Sequence, residues 1–244
     1  MKILLVNDDG IFAAGINVLT RTLLKYGHDI TVVAPRFEMS SVGHHLSMRT
    51  PLKMEQLKNY GTKAIAVDGT PVDCVKFAVH YLNVDVDLVI SGINKGANVG
   101  SDVVYSGTVS AAVEANILGL PSVAVSSVSY DEDDYENCAE FIAANLDKLY
   151  AAAQPNKVIN VNLPNSNVTD IRGVKVAGQG VRDYGDHYVK VGDNYFIKGT
   201  PKSYADIPEE TDVKFLDMGY ITVTPLTFSM TDYESLGATE EIFK

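Results

Sequence analysis

The residues best suited to chemistry lie at the very start of the chain. A short apolar run, Lys2–Val6, is followed directly by Asn7-Asp8-Asp9-Gly10. Two adjacent carboxylates repel each other, so the pKa of at least one of them rises unless a cation neutralises the pair. Asn, Asp and Gly are also common turn residues. From these four residues alone, a turn and a metal site are equally good interpretations.

Polar loops after two further apolar runs favour the metal site. The second apolar run ends at Pro35 and leads to Ser40, and the run Leu88–Ser91 leads to a glycine-rich loop that contains Asn94 and Asn98. Because the carboxyl ends of parallel strands meet at one edge of a sheet, we expect these side chains to lie near the two aspartates. Carboxylate, hydroxyl and amide oxygens form a hard ligand set that suits Mg²⁺ or Mn²⁺ rather than zinc.

A possible phosphate site precedes one of the predicted helices. The tripeptide Ser106-Gly107-Thr108 stands at the start of this helix, where unpaired N–H groups and the positive end of the helix dipole favour an anion. Serine is also a preferred N-cap residue, and most N-cap serines bind no ligand. The position beside the metal loop favours the phosphate interpretation. We expect both Asp8 and Thr108 to lie outside the core.

The rest of the first half contains the elements that must position these residues. The predicted strands are Lys2–Val6, Asp29–Ala34, Leu88–Ser91, Ser122–Ser126 and Val158–Asn162. The predicted helices are Ala14–Tyr26, Val72–Leu82, Thr108–Leu118 and Asp134–Tyr150. The strands are nearly continuous Val/Ile/Leu runs, as in strands buried on both faces. Their alternation with helices predicts an α/β fold, with a doubly wound, mostly parallel sheet covered on both faces.

The sequence pattern changes after about Gly178. Aromatic and charged residues now alternate with Gly and Pro, and a clear strand returns at Tyr220–Thr224. This part has no core pattern of its own, so we interpret residues 1–244 as a single domain. Residues from about 178 to 244 are then a β-rich C-terminal extension, which we expect to act as an arm in assembly.

Composition and charge restrict the class of protein further. The formal net charge of −11 argues against nucleic-acid binding, which needs a basic surface. No apolar run approaches the roughly 18 residues of a membrane span, and the first run is too short for a signal peptide. We therefore expect a cytoplasmic protein without membrane contact. Cys74 and Cys138 are then expected to be buried, reduced thiols.

Two histidines in the loop before Pro51 have two possible roles. His44 and His45 could act as an acid or as phosphate ligands, but a solvated pair in a loop is the simpler interpretation. A Walker A motif, a G-x-S-x-G elbow and an H-E-x-x-H helix are all absent from the sequence.

Five motifs occur in order along the chain. They are Asn7-Asp8-Asp9-Gly10, Val33-Ala34-Pro35 leading to Ser40, Gly69-Thr70-Pro71-Val72-Asp73-Cys74-Val75, Ser91-Gly92-Ile93-Asn94-Lys95-Gly96 and Ser106-Gly107-Thr108-Val109-Ser110-Ala111-Ala112. With these motifs the chain resembles the SurE family of survival-protein nucleotidases. The match is dense from Met1 to about Ser127 and thinner afterwards, where Asn160-Val161-Asn162 is a weaker similarity.

The resemblance implies a Rossmann-like, three-layer α/β/α core whose C-terminal part helps to build homodimers or homotetramers. It also implies that a small-molecule nucleotide is the substrate. The expected reaction is the release of phosphate from nucleoside 5′- and 3′-monophosphates, with some activity on short polyphosphate. The expected cofactor is one divalent ion, Mg²⁺ or Mn²⁺, per subunit.

Site residues follow from the resemblance by position. Asp8 and Asp9 would be catalytic, the metal ligands would be Asp8, Asp9, Ser40 and Asn94, and the phosphate contacts would be Asn98, Ser106, Gly107 and Thr108. The chain departs from the family at Ala97, where proline is usual, and at His45, where a small hydroxyl residue is common. These departures concern substrate preference more than the type of reaction.

The residues leave two mechanisms and two rival functions open. A metal-activated or Asp-assisted water could attack the phosphate, or an aspartate could itself be the nucleophile. A non-enzymatic, receiver-like regulatory module also carries an acidic pair after its first strand. It needs an acceptor aspartate after a middle strand, however, where this chain has Gly92, Asn94 and Gly96. A nucleotide-sugar transferase would need a second nucleotide-binding domain, for which the chain is too short.

Overall fold

The computed structural model describes residues 1–129, 132–165, 170–200 and 210–244, with the backbone alone at residues 132 and 133. The strands are β1 Lys2–Val6, β2 Asp29–Pro35, β3 Met54–Gln56, β4 Lys63–Val67, β5 Leu88–Lys95, β6 Ser122–Ser127, β7 Val158–Leu163, β8 Val174–Val176, β9 His187–Val191, β10 Asn194–Lys198 and β11 Ile221–Leu226. The helices are α1 Ala14–Lys25, α2 Pro71–His80, α3 Gly107–Ile117, α4 Glu132–Ala144, α5 Leu146–Ala152, α6 Asp212–Asp217 and α7 Leu236–Ile242. A short 3-10 helix, Gly100–Val104, precedes α3.

Nine strands of the described chain form one sheet in the order β3-β4-β2-β1-β5-β6-β7-β11-β8. The six strands from β4 to β7 are parallel, whereas β3 and β11 run antiparallel to β4 and β7. Helices α1 and α4 pack on one face of this sheet, and α2 and α3 pack on the other. The predicted α/β class is thereby confirmed, as a Rossmann-like sheet between two helical layers.

Local sequence explains where the helices begin and how closely they pack. Thr70 caps α2 through the backbone N–H of Asp73, whose carboxylate accepts from the N–H of Thr70 in return, and Pro71 occupies the first helical position. This capping box confirms the predicted start of α2. In α1, a Cβ at Gly15 would lie 2.1 Å from the carbonyl oxygen of Ile93. Glycine is therefore required where α1 crosses β5.

Several elements differ from the sequence prediction. Strand β5 continues past Ser91 to Lys95, with a register shift between Ser91 and Asn94, so the predicted loop begins as strand. The single helix predicted over Asp134–Tyr150 is two helices, α4 and α5. The side chain of Asn145 donates to the carbonyl of Phe141 at 2.9 Å and competes there with the helical hydrogen bonds. Strands β3 and β4 were not predicted.

The C-terminal part contributes to the main sheet and also extends from it. The strand predicted at Tyr220–Thr224 is confirmed as β11, which pairs with β7 and β8. Strands β9 and β10 form a separate, exposed hairpin. Helix α7 has no buried residue. The role of this part in assembly stays a prediction.

None of the helices in the described residues is both long and apolar enough to cross a membrane. Cys74 and Cys138 are free and buried, which confirms the prediction of structural thiols. Burial raises the pKa of both thiols, so neither is a good nucleophile at neutral pH.

Candidate active site

Asp8 lies where β1 meets the start of α3. Its Oδ2 accepts from the backbone N–H of Thr108 at 3.1 Å, and its Oδ1 accepts from the Thr108 hydroxyl. Burial and, to a smaller extent, the charge of Asp9 raise the pKa of Asp8 to about 6, although the hydrogen bonds from Thr108 oppose this shift. The side chain is therefore fixed in place, yet its charge is incompletely compensated.

The sequence-based expectation that Asp8 and Thr108 lie outside the core is wrong. Asp8 is 4% exposed and Thr108 is fully buried. The cause is the close approach of α3 to β1 at Gly107, where a Cβ would lie 2.9 Å from the Cβ of Asp8. Ser106 caps the helix by accepting from the N–H of Val109 at 3.0 Å. A glycine between a cap and a buried threonine thus brings the helix start against the carboxylate.

Asp9 is held from the neighbouring strand. Its Oδ2 accepts from the backbone N–H of Lys95 at 2.9 Å. Burial raises the pKa of Asp9, and the charge of Glu38 raises it further, while the hydrogen bond and charge of Lys95 lower it. Sequence reasoning missed both Glu38 and Lys95. The loop after Pro35 could have suggested Glu38, because this carboxylate lies two residues before Ser40.

The loop after β2 brings Ser40 to the same edge of the sheet. The N–H of Met39 donates to the carbonyl oxygen of Asp8 at 2.7 Å, which joins this loop to the end of β1. Ser40 is exposed, and its hydroxyl donates to Glu38 Oε1 at 2.7 Å. The hydroxyl is thus at the surface of the site and turns toward a carboxylate.

Asn98 rests on a buried network of amides. Its N–H donates to Asn162 Oδ1 at 2.7 Å, and its carbonyl accepts from Asn160 Nδ2 at 2.8 Å and from Asn162 Nδ2 at 3.1 Å. Its own Nδ2 donates to Ser126 Oγ at 2.9 Å. Sequence reasoning missed these supporting residues. The available signal was polar residues inside otherwise apolar strands, since Ser126 lies in β6 and both asparagines lie in β7.

The glycines of the segment 92–100 have structural roles. Gly92 has a φ of +144°, and a Cβ there would lie 2.3 Å from the carbonyl oxygen of Val125. At Gly100, φ is +56° and a Cβ would lie 2.8 Å from Val213. Backbone conformation and close packing therefore explain these two glycines without a bound anion. Asn94 donates from its Nδ2 to the carbonyl of Gly96, 2.8 Å away, so its amide oxygen is the atom that could contact a cation.

One cleft of about 820 Å³ brings most of the predicted site residues together. It is lined by Asp8, Ser40, Asn94, Asn98 and Ser106. Asp9 and Thr108 stand directly behind this lining, through their contacts to Lys95 and Asp8. The same cleft is lined by Lys95 and by residues 181–184 from beyond β8. Sequence reasoning did not foresee that the C-terminal part contributes to the site.

The two loop histidines lie elsewhere. His44 Nε2 lies 2.7 Å from the buried carboxylate of Glu114, which also pairs with Lys76 at 2.5 Å. These two partners lower the pKa of Glu114. The carbonyl of His45 accepts from the Thr70 hydroxyl at 2.7 Å. Neither histidine is among the residues that line the cleft, and His44 joins the loop to α3.

The donor set fits a hard divalent cation. Two adjacent carboxylates are partly removed from water, and each has a raised pKa because burial opposes its charge. A bound cation would offset that cost. Within the described residues there is no group of three or more His, Cys, Asp or Glu side chains placed to hold a metal. Hydroxyl and amide oxygens, which Mg²⁺ and Mn²⁺ accept, would therefore complete the set.

The fold and cleft define a class: a doubly wound α/β protein with an acidic, oxygen-rich site at the carboxyl edge of its parallel strands. Residues 3–186 match the family model described as Survival protein SurE. The chain belongs to the SurE family.

Relatives of known name support this assignment over the whole chain. The chain is 41% identical to the 5′-nucleotidase SurE of Clostridium beijerinckii, with full coverage of both sequences. It is 43% identical to the 5′-nucleotidase SurE of Alkaliphilus metalliredigens, with 96% of each chain covered. Among solved structures, the crystal structure of the SurE protein from Aquifex aeolicus superposes with a TM-score of 0.86 at 36% identity, covering 100% of both chains.

Proposed function

We propose that this protein is a 5′-nucleotidase, a phosphoric monoester hydrolase that acts on nucleoside monophosphates with the help of a divalent cation. The observation that carries the proposal is the Asp8-Asp9 pair, in which Asp8 is buried and Asp9 is half-buried. Asp8 lines a cleft that Asn98 and Ser106 also line, and Asp9 stands directly behind that lining. The names of full-length relatives at about 40% identity agree with it. The substrate is then a small-molecule nucleotide.

The ligand residues of the cation would be Asp8, Asp9, Ser40 and Asn94. When bound, the cation supplies positive charge that stabilises the phosphoryl oxygens and lowers the pKa of coordinated water. Mg²⁺ and Mn²⁺ suit these oxygen ligands best. The Asp8-Asp9 pair at the cleft would account for one such cation in each subunit.

The residues of the chain have separate tasks in the reaction. Thr108 fixes the orientation of Asp8 through both carboxylate oxygens. Ser106 and the start of α3 hold the phosphate oxygens, assisted by the dipole of the helix. Asn98 presents its side chain from a backbone clamped by Asn160 and Asn162. Lys95, which lines the cleft, adds positive charge beside the phosphate.

Attack by water accounts for this geometry better than attack by an aspartate. Both oxygens of Asp8 are engaged by Thr108, which suits a fixed carboxylate more than one that must reach a phosphorus atom. The oxygen of water forms a bond to phosphorus as the ester P–O bond breaks. A carboxylate takes one proton from the attacking water and passes it to the leaving oxygen, so that the products are the nucleoside and inorganic phosphate.

The finer parts of the proposal extend beyond the 5′-nucleotide. Nucleoside 3′-monophosphates and short polyphosphate are further substrates, because the catalytic groups address the phosphate. The protein works in the cytoplasm, in keeping with two buried free thiols, and assembles as a homodimer or homotetramer. The alternative is a receiver-like module that binds metal and phosphate without turnover.

A phosphate-release assay decides between the enzyme and the receiver-like module. The full-length protein is incubated with 5′- and 3′-nucleotides and tripolyphosphate, each with Mg²⁺, with Mn²⁺ or with chelator. We expect multiple turnovers on 5′-nucleotides that require the metal. A stable phosphoprotein without turnover would instead support the regulatory module.

A further inference from the structure

The cleft is larger than a phosphate group requires. At about 820 Å³ it lies within the range of sites that enclose a whole small molecule. Asp8, Asn94, Asn98 and Ser106 form the part at the carboxyl ends of the strands. A second part is lined by Tyr105, Val181, Arg182, Tyr184 and Ile197. These residues take no part in the reaction described above.

The segment that forms this second part is fixed to the 3-10 helix. The buried carboxylate of Asp212 accepts from the N–H of Gly100 at 3.0 Å and from the N–H of Gly180 at 2.8 Å. Ser101 bonds both backbone groups of Arg182, at 2.8 Å to its carbonyl and 3.1 Å from its N–H. Residues 180–182 are therefore held in place. A surface that is already ordered loses less conformational entropy when it binds a ligand.

Two side chains of this segment are oriented by one carboxylate. Asp102 Oδ2 lies 3.0 Å from Arg182 Nη1 and accepts from the Tyr184 hydroxyl at 2.6 Å. The guanidinium carbon of Arg182 lies 5.3 Å from the centre of the Tyr184 ring. An ordered arginine beside an aromatic ring is a surface on which flat, weakly polar groups stack well.

Apolar surface in the cleft is left exposed to solvent. Tyr105 is 65% exposed, Val181 is 71% exposed and Ile197 is 57% exposed. Tyr105 directly precedes Ser106, so this surface adjoins the phosphate end of the cleft. A nucleobase that stacks on this surface would bury apolar area, which favours binding. A polyphosphate chain would instead bring negative charge toward Asp183 and Asp186, which line the same cleft.

We infer that Tyr105, Arg182 and Tyr184 form the surface that receives the nucleoside part of the substrate, and so favour nucleotides over phosphate esters without a base. The inference rests on the proposed nucleotidase function. The occupant is a nucleoside bearing a single phosphate, with its base against the aromatic side chains and its phosphate at Ser106. The C-terminal segment thereby becomes part of the substrate site.

The test compares two substrates in matched tyrosine variants. Tyr105→Ala removes an exposed ring from the cleft, and Tyr188→Ala removes a similarly exposed ring, 72% accessible, from the β9–β10 hairpin. The quantity measured is the ratio of kcat/KM for adenosine 5′-monophosphate to kcat/KM for glycerol phosphate. We expect Tyr105→Ala to lower this ratio about tenfold or more, because one stacking contact with the base is lost. The change should appear mainly in KM. Tyr188→Ala should leave the ratio as in the wild type.

A binding experiment without turnover gives a second measurement. Titration calorimetry with adenosine, which has no phosphate, should show binding to the wild type that weakens about tenfold in Tyr105→Ala. Arg182→Gln should weaken it as well. An equal loss on both substrates, or unchanged adenosine binding in Tyr105→Ala, would overturn the inference while the phosphatase assignment stands. Failure of the wild type to hydrolyse either substrate would overturn the proposed function and the inference with it.

Discussion

Asp8 is held in place as a carboxylate, yet its burial opposes that charge unless a cation is bound nearby. It is fixed by the start of α3, and it is buried enough that its pKa rises to about 6. An ordinary surface turn imposes neither condition. The sequence predicted the aspartate pair as a candidate site from its position after β1. It could not predict the burial, which depends on Gly107 bringing a distant helix to within van der Waals contact.

The raised pKa makes a prediction about the metal-free protein. In the unfolded chain Asp8 has an ordinary pKa of 3.8, against about 6 in the folded protein. The folded state therefore binds the proton of Asp8 more strongly than the unfolded state does. The resulting contribution to the free energy of unfolding is complete below pH 3.8 and is lost as pH rises through 6. Asp8→Asn removes this loss. In chelator, its free energy of unfolding relative to wild type should rise by up to about 3 kcal/mol between pH 4 and pH 7.

Urea unfolding of both proteins at several pH values measures that difference. The hydrogen bond that asparagine cannot accept from Thr108 costs about 1 kcal/mol, and this offset is the same at every pH. The slope with pH therefore carries the test, rather than the sign at any one pH. A difference that stays constant from pH 4 to pH 7 would mean that Asp8 is well solvated or already neutralised.

Thr108 acts on Asp8 rather than lining the cleft itself. Thr108→Ala removes the hydroxyl that donates to Oδ1 and leaves the backbone N–H in place. We expect a loss of about 0.5–1.5 kcal/mol, which is roughly tenfold or less in kcat/KM. Thr108→Ser keeps the hydroxyl and should stay close to wild type. A thousandfold loss in the alanine variant would show that this hydroxyl stabilises the transition state directly.

The loop between β2 and β3, which carries Ser40, has no regular secondary structure and is positioned by individual contacts. Its attachments include the bond from Gly43 N–H to the Tyr105 carbonyl, the bond from Ser47 N–H to Asp73, and the pair between His44 and Glu114. Ser40 lies between Met39, whose N–H donates to the Asp8 carbonyl, and these anchors. Its position therefore depends on contacts to the end of β1, to Tyr105 at the end of the 3-10 helix, and to α2 and α3.

Weakening one anchor should loosen this loop without unfolding the sheet. Glu114→Gln removes the charge that pairs with His44 and Lys76. We expect amide hydrogen exchange at Gly43 and Ser47 to become about tenfold faster or more, while β1 exchanges as in the wild type.

Glu140 offers a matched control for this change. It pairs with Lys25 at the surface, where an ion pair contributes little to stability, so Glu140→Gln should leave the loop amides unchanged. Unchanged exchange in Glu114→Gln would show that the His44 contact is not an anchor.

The sequence predicted the position and bounds of some strands well and of others not at all. Long apolar runs such as β1 and β6 carry a strong signal and are placed correctly to within a residue. The three residues of β3 are all exposed and form a strand because of pairing with β4, which no local pattern reveals. The extension of β5 to Lys95 likewise depends on its pairing with β6 beyond the register shift.

At the scale of the whole molecule, the C-terminal part contributes both to the cleft and to the main sheet. Residues 181–184 line the cleft, and β11 extends the sheet beside β7. The sequence does not reveal this combination, because Asp212 and Gly100 are distant in the chain and meet through the hydrogen bond from the Gly100 N–H to the Asp212 carboxylate. The aromatic pattern after Gly178 predicted an arm for assembly, but it did not predict that residues 181–184 line the cleft.

The last segment is the better candidate for assembly. Large apolar side chains are exposed there at Met230, Leu236, Ile242 and Phe243, and α7 buries none of its residues. A chain that ends after Leu226 keeps β11 whole. We expect it to fold, to retain the cleft and to show a lower oligomeric mass than the full chain in light scattering. A folded truncated chain of unchanged oligomeric state would exclude this segment as the assembly arm.

We expect nucleotide hydrolysis by this protein to depend on a divalent cation held at Asp8. The most direct test measures kcat on adenosine 5′-monophosphate for wild type and Asp8→Asn, first in chelator and then at saturating Mn²⁺. We expect wild type to lose activity in chelator and regain it with Mn²⁺. Asp8→Asn should remain lower by about a thousandfold or more, a loss of several kcal/mol of transition-state stabilisation. Full turnover by metal-free wild type, or near-normal kcat in Asp8→Asn at saturating Mn²⁺, would contradict the account.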